Sequence, residues 1–207
     1  MVVKKIPPIY KGVHAIVAAP GPSLTPDVVN TLREVKNKYA IFGVGDVYKV
    51  IDFLDEHYAC DARWWNVHGE KLNSMYPNLS MWCHDSDGEK YGAKRVHGVG
   101  SAGFSTNPSL IHYGSNSGYQ MLNLAYLWGC TKMILVGYNM KKVGSKSHFF
   151  TGKREGNLQV NSPYSSFAAK YNTIQKDIRD MIINCTPDSA LTAFRVEDLD
   201  EELRKRK

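Results

Sequence analysis

The chain lacks any apolar run near the ~18 residues of a membrane-spanning helix, and residues 1–8 hold no apolar core of a signal peptide. A cytoplasmic location is the expectation that follows. Cysteine is sparse: Cys60, Cys83, Cys130 and Cys185 are far apart and three of them follow or sit inside apolar runs. That pattern reads as reduced core thiols and argues against a disulfide framework or a zinc site. The histidines His84, His97 and His112 lack the paired spacing of a metal motif and read as surface-loop residues. No repeat, low-complexity linker or long Pro/Gly-rich boundary divides the chain. A motif that reads RNA or DNA is missing too, and Trp64, Trp65 and Trp82 fall in strand-like patterns where core packing is their expected role.

What is present is enough for a core: 207 residues, 43% of them hydrophobic. The expected organisation is one domain over residues 1–196, with irregular insertions at 85–113 and 139–162, followed by a charged tail over 197–207. A net charge of +6 permits an acidic partner. Part of that excess lies in Arg204, Lys205, Arg206 and Lys207, which read as a solvated end. The group Lys141, Lys142, Lys146, Lys153 and Arg154 is more informative because it lies in one loop.

The pattern along the chain alternates strand and helix. Residues 14–18 read as a first strand, followed by Pro20, Gly21, Pro22 and Ser23 and by a helix opening at Thr25 or Pro26. Such a loop suits an anion: Gly21 allows close backbone approach, Pro22 fixes the turn, Ser23 offers a hydroxyl and the helix start offers amides. The same residues also make an ordinary strand-to-helix connection. A second strand over 39–45 is followed by Asp46, and residues 47–54 read as a short helix. Residues 62–67 read as a third strand ending at Asn66, and 79–84 as a fourth. Asp46 and Asn66 are therefore expected at the carboxyl edge of a parallel sheet, where ligands bind, or as caps of following helices. Asn116, Ser117 and Gly118 open a helix over 119–128, which leads into a buried strand over 132–138. Small hydroxyl and amide residues at that helix start make a second anion or ribose site. The loop over 139–156 is basic and carries His148, a candidate general base on a lid. A long amphipathic helix is expected over 163–180, with Phe167, Tyr171, Ile174 and Ile178 on one face. A last strand over 181–185, a turn into a short helix over 186–194 and a terminal helix complete the pattern. The fold class expected is α/β: a Rossmann-like three-layer sandwich, mostly parallel, with helices on both faces.

The order of these motifs resembles the bacterial sialyltransferases of glycosyltransferase family 42: Gly21-Pro22-Ser23-Leu24 after strand one, Asn116-Ser117-Gly118 opening a helix, Ser147-His148-Phe149, and Cys185-Thr186-Pro187-Asp188-Ser189 near the end. It is also similar to a related Rossmann-like group named after the archaeal 6-hydroxymethylpterin diphosphokinase, many of whose members are phage or prophage proteins. The likeness spans residues 14–194. It implies that Gly21 and Ser23 line a donor phosphate, that Asp46 and Asn66 face the nucleotide, and that Asn116, Ser117 and Gly118 hold ribose or phosphate. It further implies that His148 is the general base and that Pro187, Asp188 and Ser189 lie near the nucleobase. If the chain is phage-encoded, its compartment is the host cytoplasm.

The chain departs from the sialyltransferases where an arginine precedes the helix-opening loop and tyrosines stabilise the leaving phosphate: Gly114 and the lysines Lys141 and Lys142 stand there instead. The expected activity is nucleotide-dependent transfer, foremost of a sugar from a nucleotide-sugar donor to an acceptor hydroxyl, with His148, Lys141 and Lys142 as the catalytic groups. The acceptor could be a glycan, a small molecule or a modified nucleic acid, and the protein could form a homo-oligomer. One alternative is diphosphoryl transfer from ATP to a small hydroxymethyl compound, which needs Mg2+ and looks to Asp46 to hold it. Another is a non-catalytic phage protein that binds nucleotide or nucleic acid. No cofactor beyond these is implied.

Overall fold

A computed structural model describes residues 5–150, 155–158 and 162–205. Its elements run β1 (His14–Ala18), α1 (Pro26–Glu34), β2 (Ala40–Val44), β3 (Glu56–Ala59), α2 (Ala62–Met75), β4 (Ser80–Cys83), β5 (Lys94–Arg95), β6 (Gly98–Val99), β7 (Ile111–His112), α3 (Ser117–Leu127), β8 (Lys132–Val136), α4 (Tyr164–Tyr171), α5 (Lys176–Arg179), β9 (Ile182–Asn184), β10 (Arg195–Val196) and α6 (Leu199–Arg204). Eight strands form one sheet in the order β10-β9-β8-β1-β2-β3-β4-β5, with every pairing parallel. Strands β6 and β7 pair separately. This is the α/β, Rossmann-like architecture expected from the alternation.

Both faces of the sheet are covered, so its central strands are apolar throughout rather than alternating. Ile16, Ala18, Ile41 and Ile134 pack on Leu24, Val29 and Leu32 at α1, with Leu199 and Leu203 of α6 against the same cluster. Ala15, Val17, Phe42 and Met133 face the other way, onto Met121, Leu122 and Leu124 of α3. Thr25 caps α1, its Oγ1 accepting from the Val28 amide, and Pro26 occupies the first turn, where a missing N–H costs nothing. The terminal residues do more than solvate a tail. Glu202 of α6 is fully buried and pairs with Lys132 at the start of β8.

Four expectations for local structure are corrected. Residues 62–67 are the start of helix α2, and the third strand is Glu56–Ala59. Asp61 caps α2 by accepting from the Arg63 amide, and the buried set Trp64, Trp65, His68, Gly69 and Leu72 has helical spacing beyond the short window that looks like a strand. The true strand is concealed by its polar residues. Glu56 accepts from Tyr10 Oη at 2.9 Å and Trp82 Nε1 at 2.6 Å, and His57 Nε2 donates to the Gly45 carbonyl at 2.8 Å, so both are buried with partners no local pattern reveals.

The long helix expected over 163–180 is two helices. Between them Thr173 Oγ1 accepts from the Gly103 amide, and Gln175 forms a pair of hydrogen bonds with the backbone of Phe104. Those bonds to a distant loop replace a continuous helical ladder. Tyr171, Ile174 and Ile178 nevertheless reach one core cluster. Residues 186–194 form turns rather than a helix and lead into β10: Asp188 has φ 53°, Ser189 Oγ donates to the Tyr138 carbonyl and the Ala190 amide to that of Asn139. The short helix expected over 47–54 is a 3₁₀ turn at Gly45–Lys49.

Candidate functional site

Chain order runs outward from β1 through β2, β3 and β4, then returns by α3 to place β8 on the opposite side of β1. Loops leaving β1 and β8 diverge at that reversal, and in open α/β sheets the crevice beyond the strand ends there is where ligands bind. A cleft of about 250 Å³ occupies this place. Its floor comes from the strand ends, with Pro20 and Gly21 after β1, Val44 and Gly45 at β2, Cys60 and Asp61 after β3, and Gly137 after β8. Asn116, Ser117 and Gly118 form one wall, and Lys141, Ser147 and His148 of the loop after β8 form another, with Tyr164 and Phe167 of α4 beside them.

The first loop does not present its donors to this cleft. The Gly21 amide donates to the Gly137 carbonyl at 3.0 Å, the Leu24 amide to the Gly21 carbonyl, and both the amide and the hydroxyl of Ser23 to Asn139 Oδ1 at 3.1 and 2.8 Å. The two prolines have no N–H to give. Glycine is needed at position 21 because a Cβ there would overlap the Gly137 carbonyl and Asn139 Oδ1. The close approach that the residue permits is thus to the protein's own backbone. Replacing Gly21 by Ala is expected to cost about 1–3 kcal/mol as the β1 and β8 exit loops are forced apart. Chemical denaturation read alongside ligand binding checks this, and unchanged stability with unchanged binding would show the junction to be slack.

The start of α3 does offer donors. Asn116 Oδ1 takes the Tyr119 amide at 2.9 Å and the Tyr171 hydroxyl at 2.9 Å, and its backbone carbonyl takes the Gln120 amide. Of the four amides that a helix start leaves over, those of Ser117 and Gly118 remain outside this capping pattern. The Ser117 hydroxyl lies between the Cys60 amide, from which it accepts at 3.1 Å, and Cys60 Sγ at 3.2 Å. Burial pushes the Cys60 thiol up, which leaves it uncharged beside the helix start.

The loop carrying His148 is fastened on either side of that residue. The Phe149 amide donates to the Pro20 carbonyl at 3.0 Å, and the Tyr164 hydroxyl to the Ser147 carbonyl at 3.2 Å. His148 is 8% exposed, its Nδ1 lies 2.9 Å from Ser147 Oγ, and its ring stacks on Phe150 at 5.2 Å between centroids. Lys141 Nζ pairs with Asp188 at 2.6 Å, while Lys142 is exposed outside the cleft. Lys153 and Arg154 lie outside the described residues.

Gly21, Asn116, Ser117, Gly118, Lys141 and His148 therefore meet in one cavity. Pro22, Ser23, Pro187, Asp188 and Ser189 are not in its lining; Ser23 and Pro187 hold Asn139, whose Nδ2 donates to the Pro187 carbonyl at 3.3 Å, while Asp188 pairs with Lys141 and Ser189 donates to the Tyr138 carbonyl. Asn66 is on the exposed side of α2, donating to Asp87, a displacement that follows from residues 62–67 being helix. Asp46 is 1% exposed and accepts from Trp64 Nε1 at 2.6 Å behind the cleft wall. It does not fit a metal ligand in the cleft, and among the described residues no group of three His, Cys, Asp or Glu could hold an ion. Sequence reasoning missed Cys60, Asp61, Trp64, Asn139 and the α4 aromatics. Asn139 alone had a local signal, being the polar residue that closes the run after a buried strand.

Among the described residues no helix is long and apolar enough to cross a membrane. No family model matches the chain. No curated protein matches it in sequence. Among solved structures it is similar to the MAf glycosyltransferase from Magnetospirillum magneticum AMB-1, with a TM-score of 0.57 and 12% identity over 91% of this chain and 34% of that one. The chain thus spans about a third of that protein's length, and the likeness establishes a shared fold.

Proposed function

We propose that the cleft binds a nucleotide sugar and that the chain transfers the sugar to an acceptor hydroxyl. The observation that carries this reading is the convergence of the Ser117 and Gly118 amides, Lys141 and His148 on one cavity at the chain reversal. A glycosyltransferase with the same fold and the motif order shared with the sialyltransferases support it.

In the proposed step the basic nitrogen of His148 is Nε2, with Nδ1–H donating to Ser147 Oγ. His148 takes the acceptor proton as the acceptor oxygen bonds to the anomeric carbon and the bond from that carbon to the phosphate oxygen breaks. Charge then grows on the departing phosphate. The helix-start amides and Lys141 meet it, in the manner of a pre-oriented anion site. Lys142, outside the cavity, has no part in this step.

A thermal-shift screen against CMP, CDP, UDP, GDP, ADP, ATP and their sugar conjugates, with and without Mg2+ or Mn2+, tests the reading. One nucleotide together with its sugar conjugate is expected to stabilise the fold by about 2.7 kcal/mol at a concentration ~100 times its dissociation constant. Stabilisation by ATP alone and only with Mg2+ would favour diphosphoryl transfer. A flat screen would overturn the donor site and point to a non-catalytic role.

A further inference from the structure

Behind the cleft wall lies a cluster that the proposed step does not use. Asp46 Oδ1 accepts from Trp64 Nε1 at 2.6 Å, and its Oδ2 lies 3.7 Å from Lys49 Nζ. The Lys49 side chain, only 21% exposed, is also 3.2 Å from Glu155 Oε1 and sits 5.4 Å from the centroid of Phe150. The Lys49 ammonium holds the Glu155 carboxyl below its usual range. Phe150 is the ring on which His148 stacks, with 28° between their planes. Trp64, at the other end of the chain of contacts, lines the cleft.

We propose that Lys49 is a positioning residue for His148, setting the imidazole through Phe150 while its charge is shared between Asp46 in the turn after β2 and Glu155 on the loop. A short exposed ion pair would contribute little. Here the ammonium is mostly shielded, touches a buried carboxylate and faces an aromatic ring, so its contacts are stronger and its geometry is restrained. Three groups are arranged around one cation: a carboxylate that cannot move because Trp64 holds it, a carboxylate from the loop after β8, and the ring beneath the candidate base. Removing the cation takes the ammonium from Asp46, which keeps Trp64 and His68 beside it, and from the face of Phe150. The loop then loses one of its ties to the sheet, and His148 loses its fixed stacking surface. The catalytic part of this inference rests on the proposed role of His148, whereas the positioning part does not.

The test is the proton NMR signal of the His148 imidazole, assigned by its loss in His148→Gln. Stacking on Phe150 shifts that signal by the ring current, and Lys49→Met is expected to move it towards its position in Phe150→Leu, while Lys49→Arg restores it. Once a donor is found, Lys49→Met should lower kcat about 10- to 100-fold with nucleotide affinity unchanged, as expected of a misplaced base. A lowered melting temperature with an unmoved His148 signal overturns the proposal, since that is what a purely structural ion pair would do. Should Lys49→Met not fold, Glu155→Gln at an exposed carboxylate takes its place, and an unmoved signal there overturns the proposal equally. A signal that moves in a protein that binds no nucleotide upholds the positioning and refutes the donor reading.

Discussion

Substituting His148 by Gln is expected to lower glycosyl transfer by roughly 10²–10⁴-fold, the usual contribution of a placed general base, while the chain stays folded and still binds its nucleotide. Glutamine can keep a hydrogen bond to Ser147 Oγ and can lie against Phe150, but it cannot accept the acceptor proton. Ser117 and Gly118 on the opposite wall and Lys141 on the same loop are untouched, so the proposed phosphate site is kept. The expected signature is therefore a fall in kcat with little change in nucleotide affinity. Initial rates with the donor found by the thermal-shift screen decide the matter. Full turnover in the variant would remove His148 from the chemistry and leave the cleft with binding residues alone.

The second large effect is on stability and depends on acid. His57 on β3 is fully buried, donates to the Gly45 carbonyl and stacks on Trp64 at 5.2 Å. Burial first of all, opposed by the bond to Gly45 and by Asp46, holds its pKa down to about 4 against an ordinary 6.5. Between those values the unfolded chain takes up a proton that the folded chain refuses. Stability is therefore fully present above about pH 6.5 and lost as pH falls towards 4, by about 3 kcal/mol for a difference of this size. Glu56, also on β3, has the opposite sign: burial raises its pKa, so its contribution is present at acid pH and lost as pH rises through the folded value.

Urea titrations from pH 7.5 to 4, on the native chain and on His57→Phe, separate the two. The variant loses a hydrogen bond at every pH, which costs about 1–3 kcal/mol, but it lacks the imidazole that titrates. Its deficit relative to the native chain should narrow by about 3 kcal/mol towards pH 4. A constant deficit would mean that His57 is charged in the folded state. Because Gly45 and Trp64, the partners of His57, both line the cleft, ligand binding to the folded chain should hold over this range and weaken only near pH 4, where folded His57 takes up its proton.

Much of the fold is legible along the chain because the central strands announce themselves. Residues 15–18, 40–44 and 133–136 are unbroken apolar runs, and Asn116 before a long apolar helix is a local capping signal. Placing His148 and the Asn116-Ser117-Gly118 turn on a common ligand edge needs only the rule that loops at the carboxyl ends of parallel strands face one side.

Strand β3 and the directions of polar side chains are not legible in that way. Glu56 and His57 look unlike a core strand until Tyr10, Trp82 and the Gly45 carbonyl are known to lie beside them. Asp46, which stands at the expected strand end, turns into the protein because Trp64 and Lys49 are there to receive it. Ser23 finds its acceptor in Asn139, 116 residues away.

By itself, then, the sequence determined the alternation of elements, the covered parallel sheet and a part of its carboxyl edge, Gly21, Asn116, Ser117, Gly118, Lys141 and His148, since apolar periodicity and local caps depend on neighbours a few positions apart. Only the tertiary structure decided that the first loop closes on the protein, that the start of α3 lines the cleft and that Asp46 stands behind the wall. Periodicity marks which residues must leave water, whereas a buried polar atom is satisfied by whichever distant partner the fold brings within hydrogen-bond reach.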